Sequence, residues 1–453
     1  METAQQYQTM TEPSTPSSTR LTWLDRVFLL FSDIRPGEAA NTLILAVNVF
    51  LLLASYYLLK TIREALILGE SGAEIKSYSA AGQALLLLLF IPLYGMLGSK
   101  VRRMRLILIA NGFFIACLVV FYMLGKAGVR EGIAYYLWLG IYNNFVVAQF
   151  WAFANDIHSE EEGKRLFPVI GIGMSLGAWV GAVAAGRLIE GVGLYEVMLV
   201  GGALLGVCTA MTFWSNHRAV GKSRHQGTIA AKPLGAEGGF QLIFSQRYLM
   251  LIAILILLLN VTNSTGEFLL GKLVTADAAA LGTEAAKKAF IGSFYSEFYG
   301  YVNLLGFLLQ SFIASRAIKF LGVRGALFIL PIIAFGAYGL LLVYPVLGVI
   351  RFAKILENAT DYSIMNTVRQ ALYLLTSREA KYKAKAAIDT FVVRSGDMLQ
   401  ALVVLAGTKA GLALTGFAGV TLGIVVLWLT VAGLLFVEHQ KLEAAARERG
   451  EIA

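Results

Sequence analysis

Residues 41–59 read NTLILAVNVFLLLASYYLL, an uninterrupted run without a charged side chain. A helix needs roughly 20 predominantly apolar residues to cross the hydrocarbon core of a bilayer, so this stretch predicts a transmembrane helix. A second stretch of the same kind, TLGIVVLWLTVAGLLFV, lies at 421–437. Membrane spans are therefore predicted near both ends of the chain.

The composition of the whole chain fits the same class. Of its 453 residues, 57% are hydrophobic and only 15% are charged, whereas soluble domains average about 25% charged residues. The net charge of +9 comes mostly from short loops, so it does not indicate a nucleic-acid partner. Four histidines and two cysteines without ligand spacing give no support for a metal site or a cofactor. We expect an all-α polytopic membrane protein that is not an enzyme.

Hydropathy divides the chain into about twelve apolar spans. Their predicted ranges are 40–62, 79–98, 105–125, 133–155, 168–189, 193–215, 247–270, 292–315, 322–344, 346–375, 386–412 and 417–437. We number them one to twelve.

The longest polar break falls in the middle of the chain and separates six spans from six. Sequence patterns after spans two and four recur after spans eight and ten, which indicates a 6+6 internal repeat of the major facilitator type. The predicted organisation is a disordered or amphipathic cytoplasmic segment at 1–38, bundles at 39–215 and 247–438, a cytoplasmic linker at 216–246 and a cytoplasmic tail at 439–453. An unrelated twelve-span channel or receptor would explain the spans but not the repeat.

Lys and Arg are concentrated in alternate loops and in the central linker. By the positive-inside rule, both termini are expected in the cytoplasm, with the protein in a bacterial inner (plasma) membrane. Segment 271–291 is then predicted to be an extracytoplasmic loop with some helical character.

Four spans carry polar stripes at helical spacing, and they are the first helix of each three-helix unit. Ionisable residues in membrane helices face the bundle interior or a wet cavity, so the stripes predict one central substrate path. The candidate substrate-binding residues are Lys60, Arg63 and Glu64 in span one, Asn144, Trp151 and Asn155 in span four, Asn263 and Glu267 in span seven, and Arg351, Lys354, Asp361, Tyr362 and Arg369 in span ten.

Basic residues outnumber acidic ones in this set, so an anion is the expected cargo. Aromatic and amide side chains beside the charges suit a planar base that can stack. A structural alternative is that Lys60, Arg63 and Glu64 only snorkel at the end of a helix.

Span eleven raises a separate question, because charges run into an apolar segment. REAKYKAKAAIDTFVVRSGDMLQALVVLAG occupies 378–407. Its basic start could be held by anionic lipid headgroups, but that does not account for the charges further along. We predict a gate network at this mouth of the bundle, formed by Lys381, Lys385, Asp389, Arg394 and Asp397.

Three segments resemble the ATP/ADP translocase family of plastids and obligate intracellular bacteria. YYLLKTIREAL at 56–66 is similar to its first-helix motif, and QFWAFANDIHSEEEGKRLFPVIGIG at 149–173 to its span four-to-five segment. The most specific is 361–397, DYSIMNTVRQALYLLTSREAKYKAKAAIDTFVVRSGD, which resembles Y-S-(six residues)-E-x-x-Y, then K-x-K-(A/G)-K-A-x-x-D and R-x-G-K. Asp397 stands where the last motif has Lys.

The resemblance implies a major facilitator fold and exchange of nucleotides, or nucleotide import with protons. The expected partners are a nucleotide or other phosphorylated small molecule, the lipid bilayer, and a proton or phosphate as co-substrate. Two alternatives stay open: a major facilitator carrier for another organic anion, and a non-transporting membrane sensor or scaffold.

Overall fold

A computed structural model describes Arg35, residues 38–219 and residues 238–449. Within these ranges every regular element is helical, as the all-α prediction requires. The predicted disordered segment 1–38 and most of the predicted linker lie outside the described residues.

The N-terminal half contains five helices, of which the first is a joined pair. They are α1 (Ala39–Lys100), α2 (Arg103–Lys126), α3 (Gly132–Ile157), α4 (Glu160–Gly191) and α5 (Glu196–Ala219). At Gly72 the backbone of α1 leaves the helical region, with φ 81° and ψ 179°. A positive φ is readily adopted only by glycine, so this residue reverses the chain between two antiparallel arms.

The C-terminal half begins with a short helix, α6 (Gly239–Ser245). The next helices are α7 (Arg247–Ala279), α8 (Glu284–Leu308), α9 (Ala314–Ala326) and α10 (Ile329–Val343). The last are α11 (Leu347–Thr360), α12 (Asn366–Leu372), α13 (Lys385–Ala387), α14 (Val393–Lys409) and α15 (Leu414–Glu448). Single π-helical turns at Leu309–Ile313, Asp361–Met365, Ala380–Ala384 and Ile388–Val392 keep spans eight, ten and eleven continuous.

With the two arms of α1 counted separately, the described helices make twelve antiparallel passes, six on each side of the linker. Eight of the described helices are long and apolar enough to cross a membrane. Spans four (α3) and ten (α11 with α12) are not among them, and both carry a polar stripe. Polar side chains that face a bundle interior lower the mean hydropathy of a helix without exposing charge to lipid.

Three predicted boundaries are wrong. The loop expected at 271–291 is only 280–283, because α7 runs to Ala279 and α8 starts at Glu284. The loop expected at 63–78 is helical except at Gly72. The predicted tail from 439 is a continuation of α15 as far as Glu448. In each case a polar helical turn had been interpreted as the end of a span.

Helix α4 packs closely against the first arm of α1. Gly173, Gly177 and Gly181 lie one turn apart, and a Cβ on any of them would clash with the carbonyl oxygen of Ala46, Phe50 or Ala54, respectively. Small residues at this spacing allow two helix backbones to approach.

Several helix pairs join the two halves, and hydrogen bonds connect the helices of two such pairs. Between α4 and α8, the Ser296 hydroxyl donates to the Ala182 carbonyl at 2.6 Å, and the Asn303 amide donates to the Ala178 carbonyl at 3.2 Å. Between the second arm of α1 and α14, the Gln400 amide donates to the Ser77 hydroxyl at 3.2 Å.

One end of the bundle, which carries the Gly72 bend and loops 127–131, 192–195 and 280–283, is closed by ion pairs between the halves. Glu70 binds Lys288 at 2.6 Å, and Glu74 binds Lys272 at 2.9 Å. We call this the sealed end.

The opposite end holds residue 38, Glu448 and the basic loops. There, ion pairs such as Glu38 with Arg165 and Arg324 with Glu443 each stay within one half. We call it the open end.

Candidate functional site

The first arm of α1 supplies Lys60, Arg63 and Glu64, within one turn of each other. The guanidinium of Arg63 donates to Glu64 Oε1, and the Lys76 ammonium from the second arm lies 2.6 Å from Glu64 Oε2. Both Glu64 and Lys76 are buried. Buried charges are stable only when they are paired, so these two residues fix the arms of α1 against each other.

The C-terminal half supplies a matching group. Lys354 in α11 is fully buried; its ammonium lies 3.2 Å from Glu357 Oε1 and donates to the Asn263 carbonyl at 3.1 Å. Glu267 in α7 accepts a hydrogen bond from the Asn358 amide at 2.9 Å. Glu357 also accepts from the Tyr338 hydroxyl at 3.1 Å.

Glu267 joins the two groups. Its carboxylate oxygens lie 3.9 Å from the ammonium of Lys76 and 3.9 Å from that of Lys354. Tyr299 of α8 adds a second link, since its hydroxyl donates to Glu64 Oε1 at 3.1 Å. We call this set the central network: Lys60, Arg63, Glu64, Lys76, Asn263, Glu267, Tyr299, Lys354, Glu357 and Asn358.

The central network is closer to neutrality than the sequence suggests. It contains four cations and three carboxylates, and Arg63, Lys76 and Lys354 each lie within 4.0 Å of a carboxylate. Lys60 makes no ion pair with a carboxylate of the described chain. Its ammonium instead lies over the Tyr299 and Tyr57 rings, 4.1 Å and 5.1 Å from their centroids.

Arg351 lies away from the network. Its guanidinium donates to Glu297 at 2.7 Å and stacks near Tyr301. Glu297 and Tyr301 line a groove of about 500 Å³ between α4 and α8, on the side of α8 opposite Tyr299. The structure therefore contradicts the placement of Arg351 in the central path.

The span-four candidates lie in α3 without joining the network. The Asn144 amide donates to the Gly140 carbonyl of its own helix at 2.8 Å, Trp151 packs edge-on against Phe167, and Asn155 is exposed. α3 reaches the network through Tyr136, whose ring lies 4.6 Å from the Arg63 guanidinium.

Asp361 and Tyr362 continue the face of span ten towards the open end. Asp361 begins a π-helical turn, and its buried Oδ1 has no hydrogen-bond partner among the described residues. Tyr362 is one turn beyond Asn358 and is 47% exposed. Tyr362 therefore has an accessible surface one turn from a residue of the central network.

Asp397 sits in a second cluster, between α7 and α14. Its Oδ1 accepts from the Asn260 amide at 2.8 Å and the Ser264 hydroxyl at 3.2 Å, and its Oδ2 accepts from Arg394 at 3.3 Å. Asp397 thus neutralises Arg394 and ties two helices of the C-terminal half together.

The other predicted gate residues lie towards the open end. Arg369 and Asp389 form an ion pair at 2.9 Å between α12 and a π-helical turn of span eleven. The Lys385 ammonium donates to the Gln370 side chain, whereas Lys381 is exposed. The charges in span eleven therefore bind the neighbouring span ten.

Sequence reasoning missed Lys76, Glu357, Tyr136 and Tyr299. Lys76 lies between predicted spans one and two, so the burial of its side chain could not be predicted from the sequence. Glu357 was detectable, because it lies three residues after Lys354, a spacing at which opposite charges pair on a helix.

Comparison with known families identifies the chain. The model of the TLC ATP/ADP transporter family matches residues 133–439, more than half of the sequence. The chain belongs to this family.

Among the relatives of this TLC family member, "ADP,ATP carrier protein 4" of Rickettsia felis is 27% identical over 319 residues, covering 59% of the chain and 60% of the relative. "ADP,ATP carrier protein 1" of Chlamydia trachomatis is 24% identical over 355 residues, covering 66% and 65% respectively. The chain thus spans less than two thirds of the length of either relative.

Solved structures confirm the major facilitator type of fold for this TLC family member. The nucleoside transporter NupG aligns with a TM-score of 0.58 at 14% identity, covering 88% of this chain and 99% of its own. The POT family transporter PepTSo gives 0.62 at 12% identity over 89% and 98%. A bacterial homologue of the iron transporter ferroportin gives 0.61 at 15% identity over 89% and 99%. At these identities the likeness concerns the fold alone.

Proposed function

We propose that this chain is a membrane carrier that exchanges ATP- or ADP-like nucleotides by alternating access. The observation that carries the proposal is the central network, which places buried, paired charges from both halves between the two bundles. Membership of the TLC family, and relatives that are named ADP,ATP carrier proteins, support nucleotides as the cargo.

Phosphate groups would compete with carboxylates for the network's cations. Lys60 is the cation that a phosphate can bind most readily, because it has no carboxylate partner in the described chain. Arg63 follows, since a phosphate binds a guanidinium in the same bidentate geometry as a carboxylate. Release of Glu64 from Arg63 would leave Lys76 and Tyr299 as its partners in the described chain.

The aromatic side chains near Lys60 suit the base of a nucleotide. The Tyr57 and Tyr299 rings are in edge-to-face contact, with centroids 5.9 Å apart, and the exposed Tyr362 lies on the facing span. Stacking of a base on an aromatic side chain is worth about 1–3 kcal/mol, and it does not select strongly between bases.

The orientation of the chain is part of the proposal. The basic loops lie at the open end. By the positive-inside rule, we therefore place this end and both termini in the cytoplasm. The relatives come from intracellular bacteria, which supports a bacterial inner membrane. A proton or phosphate as co-substrate belongs to the same proposal.

The test is uptake by proteoliposomes with a panel of labelled nucleotides and organic acids. Lys60→Ala should weaken nucleotide affinity by roughly 10- to 150-fold, the equivalent of one charge-assisted hydrogen bond of about 1.5–3 kcal/mol. Arg351→Gln is the contrast, since its partner Glu297 lies outside the network, and it should retain wild-type affinity. Equal affinity of Lys60→Ala and wild type would contradict the assignment.

The two other functions predict different outcomes. Uptake of organic acids that nucleotides do not inhibit would indicate a carrier for another anion. Absence of saturable uptake across the whole panel, by folded protein, would favour a sensor or scaffold.

A further inference from the structure

A titratable cluster closes the sealed end, apart from the central network. Glu70 at the end of the first arm of α1 binds Lys288 of α8 at 2.6 Å, so this pair joins the two halves. The other Glu70 oxygen accepts a hydrogen bond from the backbone N–H of Gly132 at 2.7 Å. Glu131, in the loop before α3, lies directly beside this contact.

Glu131 is unusual because it is buried without a partner. Glu131 is only 3% exposed, and neither of its carboxylate oxygens has a hydrogen-bond partner among the described residues. An ionised carboxylate in such a place is strongly disfavoured unless it is paired. Burial, and then the charge of Glu70, raise the pKa of Glu131 to about 7, although Lys288 opposes the shift.

We infer that Glu131 is a proton-binding site whose occupancy holds the sealed end closed. With Glu131 neutral, Glu70 keeps Lys288 and the halves stay joined. With Glu131 ionised, a second carboxylate charge lies beside Glu70 in a buried position where its oxygens have no hydrogen-bond partner among the described residues. Separation of the halves would expose both carboxylates to water, and hydration favours the ionised form. The inference rests on the proposed alternating access and supplies a proton as the linked ligand.

Among the described residues, the charges that act on Glu131 are those of Glu70, from the first arm of α1, and Lys288, from α8. The loop before α5 contributes Tyr195, whose hydroxyl lies 3.2 Å from the Lys288 ammonium. On its own helix, the hydroxyl of Tyr135 donates to the backbone of α1. The neighbouring Arg130 side chain is exposed.

The direction of the pH effect follows from the difference between the pKa of Glu131 in the closed form and its pKa in the open form. The closed form binds it with a pKa of about 7, and an open, hydrated Glu131 would bind it near the ordinary value of 4.5. Proton binding therefore favours the closed form most strongly below pH 4.5, and this advantage is lost as pH rises through 7. Between pH 5 and pH 8 the ratio of closed to open molecules should fall by up to roughly 70-fold.

The experiment measures the sealed end directly, without nucleotide. Spin labels at Val192→Cys and Ala280→Cys, one on each half, report the separation by double electron–electron resonance in nanodiscs from pH 5 to pH 8. The native cysteines are replaced as Cys117→Ser and Cys208→Ala. We expect the closed distance to lose population progressively as pH rises from 5 to 8.

Glu131→Gln, which mimics the protonated group, should stay closed at every pH, and Glu131→Ala provides a second uncharged variant. Glu196→Gln is the matched control at the same end, because Glu196 pairs with Lys126 on the surface. It should keep the wild-type pH profile.

A wild-type distance that does not change with pH would overturn the inference, as would the wild-type profile in both Glu131 variants. The distance measurement contains no substrate. A failure to observe nucleotide exchange would therefore not affect it, and the proposed exchange and the proton site at Glu131 are tested independently.

Discussion

Lys76 holds the central network together, so its removal offers a quantitative test. Its ammonium lies 2.6 Å from Glu64 and 3.9 Å from Glu267, and the side chains of Lys76 and Glu64 are 8% and 0% exposed. Lys76→Met keeps the volume of the side chain but leaves Glu64 with Arg63 as its one remaining cationic partner among the described residues. Breaking a buried ion pair on one side costs about 3–5 kcal/mol. Since Arg63 and Tyr299 still contact Glu64, we expect the lower end, about 3 kcal/mol.

The assay is a double-mutant cycle on the free energy of unfolding in mixed detergent micelles. Lys76→Met and Glu64→Gln should each destabilise the protein, and the double variant should be more stable than the sum of the two predicts, because neither charge is left unpaired. Lys126→Met is the control: its pair with Glu196 is 51% and 30% exposed, so this substitution should destabilise the protein far less than Lys76→Met. Additive effects at Lys76 and Glu64 would refute an electrostatically coupled network.

Three further predictions concern helix packing, the gate and ion coupling. Gly177→Ala should reduce folded yield, because its Cβ would clash with the Phe50 carbonyl; a wild-type yield and melting temperature would show that α4 can shift. Arg369→Asp should impair uptake and Arg369→Asp with Asp389→Arg should restore it in part, since the pair is 2.9 Å apart; equal loss in both would exclude a role for the pair. Glu267→Gln should impair ion-driven nucleotide uptake more than nucleotide-for-nucleotide exchange in proteoliposomes, whereas equal loss would mark Glu267 as a binding or structural residue.

The fold could be predicted well from periodicity, because the length of an apolar run and the spacing of its polar residues are properties of each helix on its own. The stripes of spans one, seven and ten do meet: Glu64, Glu267 and Lys354 lie in one network, as their helical spacing indicated. Glycines one turn apart in span five allow close packing of helices, and α4 packs against α1 at those residues.

The errors arise where one residue or one contact between distant segments decides the outcome. A single positive φ at Gly72 replaces the loop expected before span two and so brings Lys76 inside the bundle. Arg351 lies at the edge of the polar stripe of span ten. Its ion pair with Glu297 of α8 directs its side chain away from the central network. The excess positive charge expected in the path is reduced because Arg351 and Arg369 pair outside the central network and Glu357 joins it. Lys60 is then the cation of the network that has no carboxylate partner among the described residues.

The central claim is that nucleotide phosphates replace carboxylates as partners of the network's cations while the halves alternate. It is tested most directly by uptake of labelled ATP into proteoliposomes that are either loaded with unlabelled ADP or empty, without an ion gradient. We expect saturable uptake that is much faster in loaded vesicles and is lost in a variant carrying both Lys60→Ala and Arg63→Ala. Uptake no greater than in protein-free vesicles, or undiminished uptake by that folded double variant, would contradict the account.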